Sequence, residues 1–155
     1  MVGLPVGVRL GVDVGSVRVG VARSDPHGIL ATPVATLARD EAAESDLDAI
    51  RDLIKEYGVV EVVVGLPRTL RGTVGPAAQA ARHYGQLLAL RIGDVPIVYV
   101  DERLTSVTAN RVLAERGIPE RSRRLVVDQA AAVTILQIRL DALSAAVRPN
   151  RQGSA

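Results

Sequence analysis

The chain has 155 residues, enough for one compact domain that buries roughly 70% of its unfolded surface and too few for a two-lobed enzyme. It is 48% hydrophobic and 23% charged with no repeat among its 14 glycines and 8 prolines, which excludes a disordered or fibrous chain, and its 2% of aromatics excludes a platform of stacked bases as the main binding device. A net charge of +2 fits a polyanionic partner without requiring one, and the absence of cysteine removes disulfides, thiolate metal sites and a cysteine nucleophile.

The remaining candidates for zinc, His27 and His83, have no partner at ligand spacing. Of the 19 basic residues only Lys55 is a lysine, a bias that fits a GC-rich genome as well as phosphate binding. The opening MVGLPVGVRLGVDVG lacks a signal peptide's apolar core. No apolar run approaches the ~20 residues of a membrane span, so a cytoplasmic protein is expected.

In chain order, Val8 to Val14 reads as a strand, and the pair Gly15-Ser16 before a second run, Val17 to Ala22, signals a tight hairpin. Alternation puts Leu10, Val12 and Val14 on one face with Val17, Val19 and Val21, and leaves Gly11, Asp13 and Gly15 on a small-residue face around a carboxylate. A third strand, Ile29 to Leu37, follows the Asp25-Pro26-His27-Gly28 turn, with Pro33 arguing for an edge or a bulge. Ser45 caps a helix to Tyr57 that Gly58 ends, and Val59 to Val64 is a strand buried on both faces. After the loop Gly65 to Gly75, Pro76 opens a helix to Leu90, and Pro96 to Val100 is a strand ending at Asp101 and Glu102. Thr105 or Ser106 caps a short helix to Gly117, and a basic connection leads to a helix from Leu125 to Leu143 that is apolar on nearly every side and should be buried. The expectation is a single α/β domain over 1–147, a mixed five-stranded sheet flanked by helices, and a flexible tail at 148–155.

The acids hold the chemistry. Singly, Asp13 can make an Asx turn, Asp101 and Glu102 can cap the following helix, and Asp128 can complement a helix N-terminus for about 0.3 to 1 kcal/mol. Jointly they say more. The face around Asp13 needs a cover, and Ala130-Ala131-Ala132 is small enough to approach it, which brings Asp128 toward Asp13. Carboxylates about 4 Å apart repel by roughly 4 kcal/mol at an effective dielectric near 20, so such a cluster needs a cation or a shared proton. An oxygen-only site suits Mg²⁺ or Mn²⁺, and two such ions can serve in-line cleavage of a phosphodiester. A glycosidase pair is the competing use of carboxylates, but the chain has little aromatic surface for sugars.

Four stretches carry a resemblance. Asp13-Val-Gly15-Ser-Val-Arg18-Val-Gly20-Val-Ala22-Arg-Ser24-Asp25 resembles the opening motif of the YqgF family, also called RuvX. Gly65-Leu66-Pro67 with Gly72 and Gly75, Asp101-Glu102-Arg103-Leu104-Thr105, and Asp128 with Ala131, Ala132, Ile135, Leu136 and Gln137 resemble its second, third and fourth motifs, so that the likeness runs from about Arg9 to Leu140. The resemblance implies an RNase H-like fold and a metal-dependent, two-metal-ion nuclease. The proposed role of the family is maturation of the 5′ end of pre-16S rRNA, and resolution of Holliday junctions is the older proposal.

Carried over by position, Asp13 and Asp128 are metal-binding, catalytic acids and the third comes from Asp101-Glu102. Alternation points those two side chains opposite ways, and Glu102 is taken. Arg68 and Arg71 in the Gly-rich loop, with Arg18 and Arg103 beside the acids, are the candidates for gripping phosphate. Arg116, Arg121, Arg123 and Arg124 form a further basic run that can track the backbone or simply be solvated. The expected partner is nucleic acid, either structured RNA or four-way DNA junctions, bound by a monomer or homodimer. A noncatalytic RNA-binding module is the rival of another class, and acids packed opposite polyphosphate argue against it. An actin-like nucleotide-binding domain would need about twice the length.

Overall fold

In the computed structural model the residues described are 6–67, 75–102 and 120–147, the side chains of 120–128 and 147 excepted. The strands are β1 (Arg9–Val14), β2 (Arg18–Ser24), β3 (Ala31–Ala38), β4 (Glu61–Leu66) and β5 (Ile97–Asp101), and the helices are α1 (Ser45–Tyr57), α2 (Pro76–Ile92) and α3 (Glu120–Val147). They form one sheet in the order β3-β2-β1-β4-β5. β1 pairs antiparallel with β2 and parallel with β4, β3 adds antiparallel to β2, and β5 adds parallel to β4. The sheet is mixed, with helices on both faces, as the hairpin followed by alternating helices and strands requires.

Strand alternation divides the core. Leu10, Val12, Val19, Val21, Val62 and Val64 point to the side where α1 and α2 contribute Leu47, Ile50, Ile54, Ala81, Tyr84 and Leu88. Ala22, Ala31 and Val63 point to the other side, under Ala132, Ile135, Leu136 and Leu140 of α3. Every residue of β4 is buried, as its apolar run predicts for a central strand.

Several boundaries differ from expectation for local reasons. The Gly15 N–H donates to the Arg18 carbonyl at 2.9 Å, so the hairpin turns at Ser16-Val17 and Val17 is 64% exposed rather than part of the bulky face. β3 starts at Ala31, not Ile29, because the Asp25 carboxylate accepts the N–H groups of His27, Ile29 and Leu30 at 3.0, 2.8 and 2.7 Å and holds these residues in the turn. The register of β3 shifts between Val21 and Ala22 of β2, leaving Val34 as the extra residue beside Pro33, so this strand is both an edge and bulged.

At α1, Glu44 precedes the first turn in the left-handed conformation (φ 57°), and Asp40, not Ser45, supplies the local anchor by accepting from the Ser45 hydroxyl at 2.6 Å and the Ala43 N–H at 3.0 Å. Gly58, at φ 60°, closes that helix as expected, and the Val59 N–H is taken by the Ile54 carbonyl, so β4 begins only at Glu61. α3 is longer than its apolar run. It is buried along one stripe, Ala131, Ala132, Ile135, Leu136 and Leu140, while Ile138, Asp141 and Ala142 are exposed, so it covers one face of the sheet rather than crossing the core. The expected helix from Thr105 or Ser106 to Gly117, most of the Gly-rich loop and the expected tail lie outside the described residues. Among the described residues no helix is long and apolar enough to cross a membrane.

Candidate active site

The α3 face of β1 presents Gly11 and Asp13, and the missing side chain at Gly11 is what lets the helix come close. A Cβ there would lie 2.6 Å from the Ala132 carbonyl oxygen and 2.7 Å from Leu136 Cβ. α3 descends as β1 ascends. Arg139 meets Glu61 at the start of β4, Ala132 lies over Gly11, and Gln129 donates to the Thr36 hydroxyl at 3.0 Å. Thr36 pairs with Gly20, and Gly20 pairs with Asp13, so residue 129 of the helix stands level with Asp13.

The second acid arrives from β5. Val98 and Val100 pack on the α3 side while Ile97 and Tyr99 pack on the other, so Glu102 continues the α3 face and Asp101 falls with Tyr99. The Glu102 N–H donates to the Leu66 carbonyl at 3.2 Å, which extends the ladder one residue past β5. Its carboxyl is buried and is hydrogen-bonded to Asp13. Between the two acids lies Gly65, where a Cβ would sit 2.5 Å from Glu102 Oε2 and against Ile135. Only glycine leaves room there for both the carboxylate and the helix.

Burial, then the charge of Asp13 and its hydrogen bond, then the charge of Asp101 push the Glu102 carboxyl up to about 8. Two carboxyls in hydrogen-bond contact hold together only through a shared proton or a cation. The donors are oxygen alone, partly buried, at the ends of rigid strands. Such a set fits a hard divalent cation and does not fit zinc.

The structure thus brings two of the expected acids together. Asp128 lies in α3, immediately before the residue level with Asp13, and its side chain is outside the description. Among the described residues no group of three or more His, Asp or Glu is placed to hold a metal ion by itself. Arg18 opens β2 in alternation with Gly20 and Ala22, on the face of Asp13. Arg68, Arg71, Arg103 and Arg116, and the side chains of Arg121, Arg123 and Arg124, lie outside the described residues.

Sequence reasoning passed over two further groups of charge. Arg9 and Arg139 flank Glu61 at 3.4 and 2.9 Å beneath α3, and Arg39, Asp46 and Tyr84 meet on the opposite face. The signals in the sequence were an acid interrupting the apolar run Val59 to Val64 at Glu61 and an acid in the first turn of the Ser45 helix at Asp46.

The model of the family RuvX, described as Holliday junction resolvase, matches residues 7–142. A relative from Frankia casuarinae is 54% identical over 148 residues, 96% of this chain and 73% of the relative, and one from Mycobacteroides abscessus is 54% identical over 131 residues, 84% and 79% of the two chains; both are named "Putative pre-16S rRNA nuclease". Among solved structures, Thermus thermophilus RuvC in complex with a Holliday junction substrate superposes with a TM-score of 0.54 at 16% identity, covering 90% of this chain and 96% of that one, which shows a shared RNase H-like fold. With a family match that spans β1 to α3 and relatives at half identity over nearly the whole length, the chain belongs to the RuvX family.

Proposed function

We propose that this protein is a divalent-metal-dependent nuclease that hydrolyses phosphodiester bonds in structured RNA, with the 5′ end of pre-16S rRNA as its substrate and the cytoplasm as its place of action. The observation that carries the reading is the meeting of Asp13 and Glu102 across Gly65 at one end of the sheet. The nuclease names of the relatives and the family match support it.

Nucleases of the RuvC-like class depend on divalent metal. Here Asp13 and Glu102, with Asp128 as the third acid, would hold Mg²⁺ or Mn²⁺, which supplies an activated water and charge stabilisation at the scissile phosphate. The chain itself does the positioning. Two strands of a buried sheet fix the carboxylates, the glycine faces let substrate and helix approach, and Arg18 on the same face grips a phosphate oxygen. Arg68, Arg71 and Arg103 extend that grip.

The test compares wild type with Asp13→Asn on a precursor rRNA and on a synthetic four-way junction, with Mg²⁺, Mn²⁺ or chelator. Metal-dependent cutting of the RNA is expected, falling by about 10²- to 10³-fold in the variant, as when a group acting at the transition state is removed. Cutting unchanged by the substitution would overturn the site. The family's description and the junction-bound RuvC favour a second reading, resolution of DNA junctions, which predicts paired cuts by a two-fold dimer instead.

A further inference from the structure

We infer that Arg39, gripped by Asp46 and Tyr84, is a positioning residue that sets the β1–β2 hairpin, and through it Asp13, from the face of the sheet opposite the acids. The inference rests on the nuclease reading above and adds to it a part that lies outside the acid cluster.

The connections are short and run through buried groups. Arg39 follows β3; its N–H donates to the Val17 carbonyl at 2.9 Å and its guanidinium to the Gly15 carbonyl at 2.9 Å. It therefore holds both sides of the hairpin turn, and Gly15 is two residues beyond Asp13 on the same strand path. The guanidinium stands 3.8 Å from the Asp46 carboxylate and 5.0 Å from the centre of the Tyr84 ring, and the Tyr84 hydroxyl donates to the same Asp46 oxygen at 2.9 Å. Asp46 and Tyr84 are 4% and 2% exposed, so neither can rotate away without leaving a buried polar group unsatisfied.

An ion pair in this setting does little for net stability compared with an apolar replacement, but it defines one geometry. The geometry it defines is that of the turn. A hairpin tip with two exposed residues, Ser16 and Val17, has little apolar packing of its own to fix it. Arg39 supplies the missing constraint by tying the tip to Asp46 of α1 and Tyr84 of α2. Glu41 lies 3.7 Å from the same guanidinium but is exposed and adds little.

A cavity of about 330 Å³ opens beside the group, lined in part by Arg39, Asp46, His83 and Tyr84. It gives a small cation a route from solvent to the place of the guanidinium, and that permits a rescue experiment. Arg39→Ala, Tyr84→Phe and Asp13→Asn are purified and compared with wild type. Three quantities are read: kcat and KM on the precursor RNA, Mn²⁺ affinity by titration calorimetry, and amide hydrogen exchange at Gly15 in metal-free protein.

For Arg39→Ala a fall in kcat or Mn²⁺ affinity of about 10- to 100-fold is expected, with KM for the RNA little changed, as for groups that orient a metal ligand. Exchange at Gly15 accelerates while the central strand β4 stays protected. Millimolar ethylguanidinium restores part of the loss in Arg39→Ala and none in Asp13→Asn. Tyr84→Phe keeps the ring and removes one bond to Asp46, so it gives a smaller fall in the same direction and stands in if Arg39→Ala does not fold. Wild-type kcat, Mn²⁺ affinity and Gly15 exchange in a folded Arg39→Ala overturn the inference. Cutting by Asp13→Asn at the wild-type rate would instead sink the nuclease reading on which it rests.

Discussion

Glu102 is where the cost of gathering acids is concentrated, and its titration has a sign that can be checked. An unfolded glutamate loses its proton near 4.5, whereas in the folded, metal-free chain burial and the neighbouring Asp13 hold it to about pH 8. Between those values the folded state binds more protons than the unfolded one, so stability falls as pH rises from about 5 to 8 and levels off above. Asp25 does not confuse the window. Its carboxyl is held below the ordinary range by the Leu30, Ile29 and His27 N–H groups, and its contribution is lost only on acidification through and below about 4. Urea midpoints of metal-free protein at pH 5, 6.5 and 8 should decline, and both Glu102→Gln and saturating Mn²⁺ should flatten the decline. A midpoint that stays level over this range would show that the carboxyl ionises as it does in the unfolded chain.

At the scale of elements, the sheet and its helices were legible because alternation and caps are local. The glycine face of β1 was visible as Gly11, Asp13 and Gly15, and so was its need for a helix of small residues, which is the contact α3 makes through Ala132. The choice of Glu102 over Asp101 rested on the same alternation, and the placement of Glu102 beside Asp13 follows it. What could not be read was anything decided by pairs distant in the chain. Asp46 looks like an ordinary first-turn acid until Tyr84, 38 residues later, is seen to donate to it. The one-residue shift of the hairpin turn likewise depends on which carbonyl Gly15 finds. The close approach of β1 and α3 gives a direct prediction: Gly11→Ala, whose Cβ meets the backbone of α3, should cost about 1–3 kcal/mol of stability by chemical denaturation, more than a surface Gly→Ala exchange. A neutral result would mean that the helix sits further from the sheet.

For the molecule as a whole, charge is divided between two ends of the face under α3. Asp13 and Glu102 stand at one, and the Arg9–Glu61–Arg139 group at the other, where Arg139 bonds both Glu61 oxygens at 2.9 and 3.0 Å. That group joins β1, β4 and α3. Glu61→Ala would leave two buried or partly buried guanidinium groups facing each other, and a loss of about 3–5 kcal/mol is expected in thermal or urea unfolding, while Glu61→Gln should lose less. The margin of the sheet has a different consequence. β3 offers its outer side to solvent, but Pro33 has no N–H to donate and the extra residue Val34 breaks the repeat of donors and acceptors. A second chain laid along it would find its ladder interrupted after a few bonds. Concentrated solutions of this protein should therefore resist fibril growth by strand addition, and replacing Pro33 with Thr should shorten the lag before thioflavin-positive aggregates form.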